Sequence, residues 1–178
     1  MKDILDHFEA DDHTLIDWRR FVQEQADYYI EQWQAIQAGR WWSFNINAFL
    51  FGILWLLYRQ MIKTAALFLG VYLIEGYVES LILGSLLRPD VLPWWTAVRV
   101  GIFSFLIGAW GNRIYLNHVT RQIRSIKEEY PPEEWVGMLH LRGGTSIFPV
   151  LLFLLLLLAA ILIGGMTDGF QHNPNIMF

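Results

Sequence analysis

The 178-residue sequence contains no cysteine. That excludes a disulfide framework, a thiolate metal site and a cysteine nucleophile. Charge is also scarce: 17% of the residues are Asp, Glu, Lys or Arg, where a soluble domain carries about 25%. The 13 basic residues are outnumbered by 17 acidic ones, for a formal net charge of −4. A nucleic-acid partner would call for a strongly positive surface, so none is expected. His7, His13, His118, His140 and His172 show no His-Glu-x-x-His or other paired-ligand spacing, which leaves a metal site unsupported. There is no Gly-x-Ser-x-Gly elbow. The string from Gly143 to Ser146 resembles a phosphate loop only faintly, because it lacks the preceding strand and the Gly-Lys-Ser/Thr ending. With no nucleophile, base and oxyanion set in sight, the expectation is a non-enzymatic protein without a cofactor.

What the chain does have is apolar mass: 54% hydrophobic residues and 16% aromatic ones. The mean hydropathy of +0.33 is modest only because the apolar residues are gathered into blocks. This pattern predicts an all-α, helical integral membrane protein with three transmembrane spans, a short re-entrant or interfacial helix and cytoplasmic amphipathic helices.

Residues 1–40 read as an acidic cytoplasmic arm. Asp3, Asp6, Glu9, Asp11 and Asp12 near the start rule out a secretory signal there. Leu15, Trp18, Val22, Ala26, Tyr29, Trp33 and Ile36 recur at steps of three and four, which predicts one long amphipathic helix closed by Gly39. Its stripe is expected on the rest of the protein or on a second copy, with a membrane surface as the alternative. Trp41 and Trp42 then mark a headgroup-level interface. Residues 41–63 contain the apolar stretch 46–58, about 20 Å of helix against about 30 Å of hydrocarbon. It is too short to cross upright and is read as re-entrant or interfacial.

Residues 64–111 are read as a transmembrane hairpin, with a span over 64–87, a turn containing Pro89 and Pro93, and a second span over 94–111. Residues 112–145 form a basic cytoplasmic helix and a short second helix, and 146–178 hold a span over 147–166 and an outer tail. If 46–58 does not cross, eleven of the 13 basic residues fall on one side, which makes that side cytoplasmic. The N-terminus is then inside and the C-terminus outside.

In lipid, helices associate through close backbone approach and polar contacts, so small residues at helical spacing mark packing faces. Gly76, Ser80 and Gly84 on the first span, and Gly101, Ser104, Gly108 and Gly111 on the second, predict a tight antiparallel hairpin. Glu75, Glu79 and Arg99 are the intramembrane anomaly, because an ionisable group there costs about 2.5–3.5 kcal/mol on insertion scales. If the small stripes face each other, Arg99 points away from Glu79, toward a neighbouring protomer's carboxylate or the outer interface. Just inside the membrane, Asn112, Tyr115 and His118 lie three apart on one helical face near Arg59. They are candidates either for a lipid headgroup or partner loop, or for a hydrogen-bonded brace. The basic residues Arg113, Arg121, Arg124 and Lys127 predict docking of the acidic arm, with anionic lipid as competitor.

The strings FNINAFLFGILWLLYRQM (44–61), GNRIYLNH (111–118) and LRGGTS (141–146) resemble a family of small bacterial inner-membrane proteins known as domain of unknown function twenty-six twenty-eight. The resemblance extends over 41–166 and departs at Ile53, where the family pattern has proline. It implies bacterial origin, the inner membrane and a helical fold, and it brings no activity. The functional expectation is an accessory or scaffold subunit that forms a homo-oligomer or joins a larger membrane complex in the lipid bilayer. The alternative is a small oligomeric transporter or channel using Glu75, Glu79 and Arg99.

Overall fold

The structure, a computed structural model, describes residues 12–83 and 91–171. Their regular structure is helical, with no strand among the described residues, in the order α1 (Asp12–Val22), α2 (Ala26–Gln37), α3 (Ile46–Phe51), α4 (Ile53–Tyr58), α5 (Ile62–Leu83), α6 (Leu92–Glu129), α7 (Trp135–Arg142) and α8 (Phe148–Gln171). A 3₁₀ turn over Pro132–Glu134 leads into α7. Residues 1–11, 84–90 and 172–178, and with them Gly84, the turn expected around Pro89 and the expected outer tail beyond Gln171, lie outside the described residues.

The predicted continuous helix over 15–36 is broken. Gln23 and Gln25 take φ values of 58° and 59°, and long-range partners rather than local sequence hold the break. The Phe21 carbonyl accepts from Gly144 N at 2.7 Å, and the Val22 and Glu24 carbonyls accept from the Arg59 guanidinium. The apolar stripe nevertheless stays in phase. Trp18, Phe21 and Val22 of α1 and Ala26, Tyr29, Ile30 and Trp33 of α2 are buried, packed with Tyr115, Val119, Ile123 and Ile126 of α6 and Leu139 of α7. Burial of each large apolar side chain contributes about 1.5–3 kcal/mol. Charge adds one direct contact to this docking, Asp17 with Lys127 Nζ at 2.5 Å.

The 46–58 stretch folds as two short helices around Gly52. Asn45 caps α3, its side chain accepting from Ala48 N at 2.9 Å, as an N-cap does. α3 then runs antiparallel to α6: Asn45 N donates to the Gly108 carbonyl at 2.8 Å, while Gly52 lies beside Ser104 and Ile107. α4 returns, so that Trp55 reaches the Tyr115 ring at 6.0 Å. The chain can reverse because Gly52 adopts φ 49°, ψ −120°, a region closed to most residues with a Cβ.

The small-residue stripe of α6 has a different partner from the expected one. It receives α3: an added Cβ at Gly108 would lie 2.7 Å from Phe49 Cβ, and one at Gly111 3.0 Å from Ala48 Cβ. Gly101 has open space around it. Ser80 is exposed and its hydroxyl donates to Tyr77 O of its own helix at 2.7 Å. The predicted tight hairpin is therefore corrected. Along the described residues the backbones of α5 and α6 stay largely apart, and long side chains bridge them, among them Tyr72 and Phe103 with ring centroids 5.1 Å apart.

Among the described residues, one helix, Ile62–Ile82, is long and apolar enough to cross a membrane, and Phe148–Gly164 is a shorter apolar helix. The core helix of a soluble protein would be buried, but only 6% of the spanning window in α5 is. The buried core lies instead where α1, α2, α4 and α7 meet the C-terminal half of α6.

Candidate functional site

Three arrangements of polar groups stand out, and each begins from a helix that brings its residues to one face. On α5, Tyr72, Glu75 and Glu79 follow at steps of three and four, so they share a face. Arg99 of α6 reaches into that face. Its Nη1 lies 3.3 Å from Glu75 Oε2 and 3.2 Å from Glu79 Oε2, its Nη2 donates to the Tyr72 hydroxyl at 3.2 Å, and its guanidinium stands 4.6 Å over the Tyr72 ring. Gly76 leaves room for the guanidinium in this position, since a Cβ there would sit 2.5 Å from Arg99 Nη1 and displace it. Arg99 thus turns toward Glu79 rather than away from it, because the small stripes of α5 and α6 do not face each other. Two carboxylates meet one guanidinium, and Glu75 remains 40% exposed on the outer face. Tyr72 was missed in the sequence, although its spacing from Glu75 carries the signal.

The second arrangement is buried. Asn112 has no exposed surface and Asn45 has 1%. Asn45 Nδ2 donates to Asn112 Oδ1 at 2.8 Å, and Asn112 Nδ2 donates to Ser43 Oγ at 2.8 Å and to the Tyr28 hydroxyl at 3.3 Å. Trp33 Nε1 donates to the Asn112 carbonyl at 2.9 Å. The network ties α2, the entry to α3 and the middle of α6 together. Tyr115 is also fully buried, and burial pushes its phenol up to about 12. Burial raises Tyr28 as well. His118 is partly buried beside the Phe21 ring, 6.4 Å away. Burial first, and the Arg121 charge second, hold its imidazole below the ordinary histidine value. Asn112 and Tyr115 consequently brace the fold and present no accessible surface to a headgroup.

Arg59 belongs to the third arrangement. It is 3% exposed, with its guanidinium 4.6 Å from the Tyr29 ring and 5.2 Å from the Tyr115 ring. Nearby, Gly143 and Gly144 form a clasp. Gln60 Nε2 donates to the Gly143 carbonyl at 3.0 Å, Gln23 Nε2 to the His140 carbonyl at 2.9 Å, and Ser146 N to the Tyr58 carbonyl at 2.9 Å. A Cβ on Gly143 would come within 2.1 Å of the Phe21 carbonyl oxygen. The Gly-Gly-Thr-Ser string is a crossing point of α1, α4 and α7. No group of three or more His, Asp or Glu residues suited to a metal ion occurs among the described residues.

No curated protein and no solved structure matches the chain. A family profile does match, over residues 13–121. That range takes in α1 and α2, which the resemblance read from the sequence had left out, and stops short of the Gly143 clasp and α8. The residues of the Asn45–Asn112 network, Arg59 and the Glu75–Glu79–Arg99 cluster all fall inside it, and the chain belongs to the family described as Protein of unknown function (DUF2628).

Proposed function

We propose that this chain is a non-enzymatic, multi-pass protein of the bacterial inner membrane that acts as an accessory or scaffold subunit, associating with a second copy or a larger membrane complex through the outer face of α5. Three spans, over 64–87, 94–111 and 147–166, place the N-terminus and residues 112–145 in the cytoplasm and the C-terminus outside. The distribution of basic residues supports this topology, as do the exposed apolar side chains of α5, α8 and the first half of α6. Arg113, Arg121 and Arg124 form no ion pair with described residues, which suits an anionic lipid surface.

One observation carries the association. The cluster on α5 and α6 holds two carboxylates against one guanidinium, with Glu75 open on an apolar face. An excess charge at that depth calls for a partner, and a basic or hydrogen-bonding side chain from a neighbouring helix supplies one. Intact mass after mild extraction tests this. The wild type is expected in a complex larger than its own 20.8 kDa, and Glu75→Gln is expected to release it. A wild-type monomer, or a complex indifferent to Glu75→Gln, refutes the reading. The same excess charge favours a second reading, a small oligomeric transporter or channel in which Glu75, Glu79 and Arg99 carry a cation or proton. That reading requires ion flux through vesicles holding the oligomer.

A further inference from the structure

A cavity of about 390 Å³ opens beside Arg59, between α4 and the start of α8. Its volume falls within the about 300–1,000 Å³ of small-molecule sites. The lining changes character from the end of α3 along α4: Phe51 and Leu54 are apolar, as are Ile147 and Val150 across from them, with Asn47 a polar group of α3, while Arg59 and Glu24, with Gln25, close the other end. Phe51 and Ile147 are both 58% exposed, so the apolar end has an apolar rim.

The polar end has an unfinished charge balance. Arg59 is buried, yet forms no ion pair with any described residue. Of its five donors, Nη1 reaches the Val22 carbonyl at 3.5 Å and Nη2 the Glu24 carbonyl at 3.2 Å, while Nε is buried without an acceptor. A buried cation without a counter-ion is costly. The Glu24 carboxylate accepts from the Tyr58 hydroxyl at 2.8 Å and has a further oxygen to offer. One cation and one carboxylate at the end of an apolar cavity match a molecule with an apolar tail and a head carrying both charges.

We infer that this cavity holds one chain of a phosphatidylethanolamine, with the phosphate against Arg59 and the ammonium against Glu24. Ethanolamine fits better than choline, because a primary ammonium donates charge-assisted hydrogen bonds to a carboxylate and a quaternary one has none to give. A glycerol head carries no cation and would leave its phosphate near the Glu24 charge. The site rests on the membrane placement proposed above, and flotation of the protein with vesicles tests that placement separately.

The full chain is reconstituted in vesicles of equal parts phosphatidylethanolamine, phosphatidylcholine and phosphatidylglycerol, extracted mildly and weighed by native mass spectrometry. One retained phosphatidylethanolamine in excess of the other two is expected. Glu24→Gln, an exposed position, should lower that preference by about tenfold, the worth of a hydrogen bond to a charged group. Ile147→Trp fills the rim and should abolish retention while leaving the near-ultraviolet circular dichroism intact. Lipids retained in the vesicle ratio, a preference unchanged by Glu24→Gln, or retention that survives Ile147→Trp would each overturn the assignment.

Discussion

Asn112 commits its side-chain oxygen, its amide nitrogen and its carbonyl to four other residues, Asn45, Ser43, Tyr28 and Trp33. Removing one partner from a buried pair leaves the other unsatisfied, at about 1–3 kcal/mol. Asn112→Ala is therefore expected to lower stability by about that amount, read as thermal unfolding in detergent by near-ultraviolet circular dichroism. Asn117→Ala, at an exposed position of the same helix, should stay within about 0.5 kcal/mol of wild type. Equal stability of the two variants would show that the amide network does not hold these helices together. The candidate residues near Asn112 were legible in the sequence as a face of α6, and so was the brace as one of their two uses. What decides between the uses is depth of burial, which depends on α2 lying over them.

At the scale of elements, the short pair α3–α4 is the part most directly dictated by local chemistry. Asn45 caps its start, its side chain accepting from Ala48 N. Gly52 reverses it, and the space around Gly52 is open, with its nearest neighbours 3.9 and 4.0 Å from an added Cβ. The cost of Gly52→Ala is therefore backbone strain, about 1–3 kcal/mol. The expected result is a lower unfolding temperature with unchanged helix content; a variant as stable as wild type would mean that the bend relaxes freely. The arm was legible as an apolar stripe and illegible as two helices, because Gln23 and Gln25 are ordinary helix formers and the break is held by Arg59 and Gly144, far away in sequence. The small-residue stripe of α6 was legible as a packing face, but its partner was not. Two segments competed for it, and α3 reaches it through the Asn45 N to Gly108 carbonyl bond.

The whole molecule divides by exposure. One end is a lobe whose core contains Trp18, Trp33 and Trp55, and the other consists of helices with nearly all their apolar side chains exposed. Urea competes for groups exposed to water and has little purchase on helices shielded by detergent. Urea titration in detergent is expected to remove the near-ultraviolet signal of the lobe first, with much of the helical signal remaining. A single coincident transition would mean that the two ends unfold as one. Composition alone announced the exposed apolar end, whereas the lobe needed the pairing of two distant stripes.

α6 belongs to both ends. Its 38 residues make a continuous rod about 57 Å long, with Arg99 held near one end and Asp17 resting on Lys127 near the other. No loop interrupts it, so the rod acts as a lever. A tilt of about 10° imposed on the Arg99 end displaces the far end by about 10 Å over that length. On the proposed association, a partner on the Glu75 face is coupled mechanically to the position of the lobe, without a hinge between them.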